Sequence, residues 1–173
     1  MNQWIFLAAT LAFSPAVLAQ HHGAAHQHDH QSGAHHSTAT AQFDKASLNT
    51  QVHVEKCWVR LLPGTVPSAA YFTVHNQGQQ DTAVIAARSS AHADVMVHET
   101  THKDGMSHMG HTASVAIPAG AAVGFEPGGL HVMLEQATQP LQQGGTIQLE
   151  LLYADHTKTV TTCELRSPKT QSY

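Results

Sequence analysis

The sequence predicts an all-β protein, a sandwich of short strands, and three observations carry that expectation. From about Ser47 onward, short runs rich in β-branched and aromatic residues recur. Pro, Gly and Asn clusters separate most of these runs, and no convincing helix competes with them. The runs are 51–60 (QVHVEKCWVR), 69–76 (AAYFTVHN), 82–88 (TAVIAAR), 93–100 (ADVMVHET), 113–117 (ASVAI), 121–125 (AAVGF), 130–135 (LHVMLE), 146–153 (TIQLELLY) and 157–164 (TKTVTTCE). Short strands separated by turns in this way pack as a sandwich. The breaks have turn chemistry of their own: Pro63-Gly64, Asn76-Gln77-Gly78, Pro118-Ala119-Gly120, Pro127-Gly128-Gly129 and Gly144-Gly145. No internal repeat is visible.

Two segments precede this region. Residues 1–20, MNQWIFLAATLAFSPAVLAQ, hold an apolar run from Trp4 to Phe13, a helix breaker at Pro15 and small residues at Val17 and Ala19. That is the pattern of a secretory signal peptide (1–19) cleaved after Ala19, and the run is too short to span a bilayer. The n-region carries no Lys or Arg, so its positive charge is the α-amino group alone. Residues 21–36, HHGAAHQHDHQSGAHH, place His21, His22, His26, His28, His30, His35 and His36 among Gly, Ala, Gln and Ser, without apolar periodicity. A disordered, metal-attracting tail over 20–46 is expected, then one domain over 47–166 and a C-terminal tail over 167–173.

Composition narrows the function. A formal net charge of −4 with only 8 Lys and Arg offers no basic patch for nucleic acid and no basic amphipathic segment for a membrane surface. The unusual counts are 16 His and 5 Met beside 12% charged residues. Imidazole and thioether are metal ligands, and soft thioether sulfur favours Cu(I) over zinc, calcium or magnesium. Cys57 and Cys163 belong to an exported chain, where thiols pair, so a disulfide is expected. A thiolate metal site lacks a zinc-type spacing, and two free thiols are the other alternative.

Strand periodicity then places the candidate ligands. In 130–135, Leu130, Val132 and Leu134 face one way and His131 and Met133 the other. The apolar set takes the core, so His131 and Met133 project together from the opposite face. In 93–100 the same alternation sets Met96 and His98 against Val95, Val97 and Glu99. The following THKDGMSHMGH reads as an exposed Met-rich loop, with Met106 and Met109 beside His102, His108 and His111. Together His98, Met109, His131 and Met133 spell His-x10-Met-x21-His-x-Met, a spacing that this composition would produce by chance on the order of 0.001 times. Met106, His108 and His111 are possible auxiliary ligands.

That motif resembles the PCu(A)C copper chaperones. Trp58-Val59-Arg60, Pro63-Gly64, Ala69-Ala70-Tyr71, His98-Glu99-Thr100, Pro127-Gly128-Gly129 and Leu130-His131-Val132-Met133-Leu134 also fall where such a domain has them. The resemblance covers about Val52 to Val160. It implies a cupredoxin-like Greek-key β-sandwich, periplasmic and monomeric, that binds Cu(I) through His98, Met109, His131 and Met133. It further implies delivery of copper to cytochrome oxidase, to its copper-bearing subunit or to a thiol-containing assembly factor. The His-rich segment and the two cysteines depart from the family pattern; Cu(II) is the ion expected on the tail.

Rival functions are less well served. An electron-transfer cupredoxin needs a Cys thiolate with two His and a weak axial Met, and ELRSPKTQSY after Cys163 holds neither His nor Met. A copper oxygenase with an N-terminal His ligand would need cleavage after Gln20, where a small residue is wanted. Gly-x-Ser-x-Gly, His-Glu-x-x-His and phosphate-cradling Gly loops are all missing from the sequence, so a non-enzyme is expected. The serious alternative is a copper or zinc sequestration protein that delivers nothing.

Overall fold

Alternating apolar residues over most of the chain produce strands, as expected, and the computed structural model describes residues 41–173. The signal peptide and the seven tail histidines read from the sequence lie outside those residues. Eleven strands follow in order: β1 (Ser47–Leu48), β2 (Val52–Arg60), β3 (Ser68–Asn76), β4 (Thr82–Arg88), β5 (His92–Lys103), β6 (Met106–His111), β7 (Val115–Ile117), β8 (Ala122–Phe125), β9 (Leu130–Ala137), β10 (Thr146–Tyr153) and β11 (Thr157–Arg166). All nine sequence-derived strands are present, with ends displaced by a few residues.

The strands are hydrogen-bonded in the order β6-β5-β9-β3-β2-β11-β10-β4-β7, with β1 added on β11 and β8 on β3. Both pairings of β11 with β1 and β2 are parallel and all other pairs are antiparallel. β8 and β9 share one edge of β3: Phe72 to His75 pair with β8, and Ser68 to Ala70 with β9. The Pro127-Gly128-Gly129 turn between them interrupts what is otherwise one line of strand. The curled sheet brings β4 back against β5, and its inner face holds Val59, Ala70, Val74, Val84, Val97, Phe125, Val132, Leu134, Leu149 and Leu151. Phe72 and Phe125 stack across the β3–β8 pair with centroids 4.4 Å apart.

Some of the polar groups caught inside are paired. Asn76, 3% exposed, donates from Nδ2 to the carbonyls of Gln80 and Ile117 and accepts from the Gly78 amide, closing the turn after β3. Cys57 and Cys163 form a disulfide between β2 and β11, on the core side of the sheet. Cys57 lies in a β-bulge, where the β2–β3 register shifts between Glu55 and Trp58 and Lys56 takes a positive φ of 54°.

Residues on both flanks of the strands pack against them. Residues 41–45, expected within the disordered tail, are helical. Phe43 is 1% exposed and lines the gap where β4 meets β5. The Arg88 guanidinium lies over the Phe43 ring at 4.8 Å and binds the Asp44 carboxylate at 2.7 Å, while Glu150 accepts from Arg88 with both oxygens. A single aromatic at 43 has no periodicity to signal it, and its burial is a tertiary effect. At the other end Tyr173 stacks on Arg166 at 4.2 Å, and the Thr170 carbonyl accepts from Arg60 Nε. No helix among the described residues is long and apolar enough to cross a membrane.

Candidate metal centre

The β5–β9 pair builds the centre. Its register sets His98 directly opposite His131 and Met96 directly opposite Met133, while Val97 faces Val132 on the core side. Opposed residues of an antiparallel pair share a face, so the four donor-bearing side chains occupy one face of two adjacent strands. The His98 and His131 ring centroids are 5.9 Å apart at 71°. His131, on the face opposite the core set, is only 5% exposed. Tyr71, on the neighbouring β3, covers it with centroids 6.3 Å apart.

The segment read as a loop is a hairpin. β5 continues to Lys103 and β6 returns from Met106, with Asp104 and Gly105 as the two-residue turn at φ 53° and 76°. Two successive positive φ values in an Asp-Gly pair define a type I′ turn, whose twist matches that of the flanking strands. Met109 is therefore a strand residue, opposite Thr100 on the edge strand, and is 56% exposed. His111 lies opposite His98, with ring centroids 6.3 Å apart at 88°. Alternation separates the auxiliary candidates: His111 and Met109 share the face of His98, whereas Met106 and His108 lie on the reverse face with Glu99 and Thr101.

Hydrogen bonding decides which nitrogens are available. The Gly129 carbonyl accepts from His131 Nδ1 at 2.9 Å, which fixes the tautomer and leaves the Nε2 lone pair free. His98 Nδ1 is buried with no partner among the described residues, an orphan that a bound ion would satisfy. His102, by contrast, is fully engaged. Its Nε2 donates to the Gly128 carbonyl at 3.3 Å, and its Nδ1 accepts from the Ser107 hydroxyl at 2.9 Å. Burial, reinforced by the His131 and His111 imidazoles, holds His98 below the usual imidazole range. The shift favours its neutral, ligand form.

Met109, His131 and Met133 line one cavity of about 430 Å³ with Arg60, Leu62, Tyr71 and Thr100. The Arg60 guanidinium lies over Tyr71 at 5.2 Å and Trp58 at 5.7 Å. Among the described residues no group of three His, Cys, Asp or Glu could hold a metal ion. Thioether sulfurs stand beside the imidazoles on this face, a donor set suited to a soft monovalent ion. The structure brings His98, His131 and Met133 together, adds Met109 and His111 from the hairpin, and leaves Met106 and His108 apart. Reasoning from the motif passed over Met96, although its phase with His98 was visible in the alternation.

The class of domain follows from comparison with solved structures. The apo PmoF2 PCuAC domain superposes with a TM-score of 0.59 at 19% identity, covering 71% of this chain and 95% of that one. The copper-bound PCuAC domain from PmoF2 gives 0.56 at 19% identity over 68% and 94%. The Cu(I) form of DR1885 from Deinococcus radiodurans gives 0.57 at 25% identity over 75% and 87%. The fold is thus the cupredoxin-like one of PCuAC domains. The profile described as "Putative lipoprotein LpqE-like" matches residues 52–164, and the chain belongs to the LpqE-like family. "Putative lipoprotein Lxx21020" of Leifsonia xyli subsp. xyli (strain CTCB07) is 37% identical over 105 residues, 60% of this chain and 63% of the relative. The match therefore spans less than two thirds of that relative's length.

Proposed function

We propose that this protein is an exported copper chaperone that carries Cu(I) on His98, Met109, His131 and Met133. The observation that carries the reading is the in-register opposition of His98 and His131 beside Met133, with His131 Nε2 free and His98 Nδ1 unpartnered. The copper-bound and Cu(I) states named for the structural neighbours support it. Two neutral imidazoles and two thioethers suit Cu(I), and thioethers, unlike thiols, form no disulfides in an oxidising compartment. The role is carriage rather than catalysis, in the periplasm, after cleavage at Ala19.

Transfer proceeds by ligand exchange. Met109 is exposed on an edge strand, whereas His131 is buried and tethered to Gly129. Met109 is thus the ligand that an incoming thiolate displaces first, and thiolate outcompetes thioether for Cu(I). A recipient with Cys ligands fits this chemistry: the copper-bearing subunit of cytochrome oxidase, or a thiol-containing assembly factor. A second reading, sequestration without delivery, draws on the seven histidines of 21–36, which suit Cu(II).

X-ray absorption on the Cu(I)-loaded protein should show mixed nitrogen and sulfur scattering, and a sulfur-free shell would overturn the ligand set. Stopped-flow transfer to an apo dithiol acceptor separates the two readings. A rate that rises with acceptor concentration means delivery; an invariant rate means release through solvent and leaves only sequestration.

A further inference from the structure

The His-x10-Met-x21-His-x-Met spacing selects Met109 as the second thioether, but the sheet register gives another residue a shorter reach. Met96 and His98 on β5 face Met133 and His131 on β9 across consecutive same-face rungs. Opposed positions of an antiparallel pair have Cβ atoms about 4.5–5.5 Å apart. Successive same-face rungs are about 7 Å apart. The four donors thus spring from the corners of a rectangle about 5 by 7 Å. Met109 comes from one strand further out, on the rung of Thr100, diagonally across His98 from Met133.

We infer that Met96 is a further copper donor of this centre, exchanging with Met109 beside Met133, His98 and His131. The inference rests on the Cu(I) reading above. Its structural support is separate from the motif. Met96 is not a core residue: Val95 and Val97 take the core side of β5, and Met96 is only half-buried on the donor face. With His111 it lines a cavity of about 270 Å³ beside β4. That space leaves a side chain with three rotatable bonds free to change rotamer on the face it shares with His98. Two thioethers on opposite sides of His98 give copper an inner position, held by Met96 and Met133, and an outer one, presented by the exposed Met109. Displacement of Met109 without a recipient then returns copper inward rather than to solvent.

The test is sulfur counting in the full chain loaded with a single equivalent of Cu(I), by X-ray absorption. The variants are Met109→Ala, Met96→Leu and the double variant; leucine keeps the apolar volume without sulfur. Each single variant should retain two sulfur scatterers, and the double variant should lose one. One sulfur in Met109→Ala would overturn the inference, as would two in the double variant, which would assign the second donor to Met106. A wild-type shell without sulfur would refute the Cu(I) reading itself, a distinct outcome. Thermal unfolding of Met96→Leu in the apo form should match wild type, so that any sulfur loss is read from a folded domain.

Discussion

Replacing both Cys57 and Cys163 with alanine removes a cross-link between residues 106 apart in sequence. In the chain-entropy account, a loop of that length withholds about 16 cal/mol/K from the unfolded ensemble, or about 4.8 kcal/mol at 25 °C. A domain of about 130 residues unfolds with roughly 270 cal/mol/K near its midpoint, so the variant should melt about 17 °C lower. Lost packing acts in the same direction, because both sulfurs lie in the core, where Cys57 is 5% and Cys163 0% exposed. The assay is calorimetry of the apo double variant against wild type. Substitution serves better than reduction, since an added thiol would also compete for copper. A midpoint within about 5 °C of wild type would refute the entropic reasoning. The cross-link lies on the core side and His98, His131 and Met133 on the other face. Cu(I) retention at 25 °C should therefore be unchanged, and its loss in a folded variant would show that the two faces are coupled.

Further expectations concern the ligands, the buried imidazole at 92, the N-terminal turn and the tail. His131→Ala and Met133→Ala should each abolish Cu(I) retention against a competing chelator, whereas Met109→Ala should weaken it only moderately; equal losses would contradict the exchange order. His92 is 6% exposed, and burial lowers its pKa, so the folded state holds fewer protons than the unfolded one below about pH 6.5. Its contribution to stability is present above that pH and is lost as pH falls toward the folded-state value. The apo melting midpoint should accordingly drop between pH 7 and 5, with a shallower slope in His92→Leu; an unaltered slope would exclude this residue as a source. Phe43→Ala should cost about 3–5 kcal/mol in urea unfolding, as for other buried aromatics, and a loss under about 1 kcal/mol would mean the helical turn is dispensable. Changing the seven tail histidines to glutamine should lower Cu(II) stoichiometry by equilibrium dialysis, and in wild type the tail's uptake should fall steeply below about pH 6. Unchanged stoichiometry would leave the tail without a metal role.

Strands with one buried face announced themselves. In 130–135 the alternation of Leu130, Val132 and Leu134 with His131 and Met133 was enough to fix both the core and the donor face. The hairpin at 103–106 was harder, because Met, His, Gly and Ser are weak strand formers and six exposed residues in β6 give no apolar rhythm. The Asp104-Gly105 pair was the available signal, and it was local rather than periodic. Burial of His131 was not legible either: it depends on Tyr71 arriving from β3, a contact set by long-range pairing. The same holds for Phe43, and for Met96, whose importance emerges only from the β5–β9 register.

That register has a consequence for maturation of the chain. His98 and His131 come from strands far apart in sequence and meet only if β5 and β9 pair in one alignment. A slip of one residue would turn the imidazoles to opposite faces of the sheet. The proposed imidazole pair is thus withheld from unfolded and misaligned chains alike. Because an ion that binds only the native sheet stabilises it by mass action, copper held on the proposed ligands would favour molecules whose strands are correctly paired. Correctly assembled copies would then gain resistance to proteolysis that misaligned ones lack, with the imidazole pair itself as the point of discrimination.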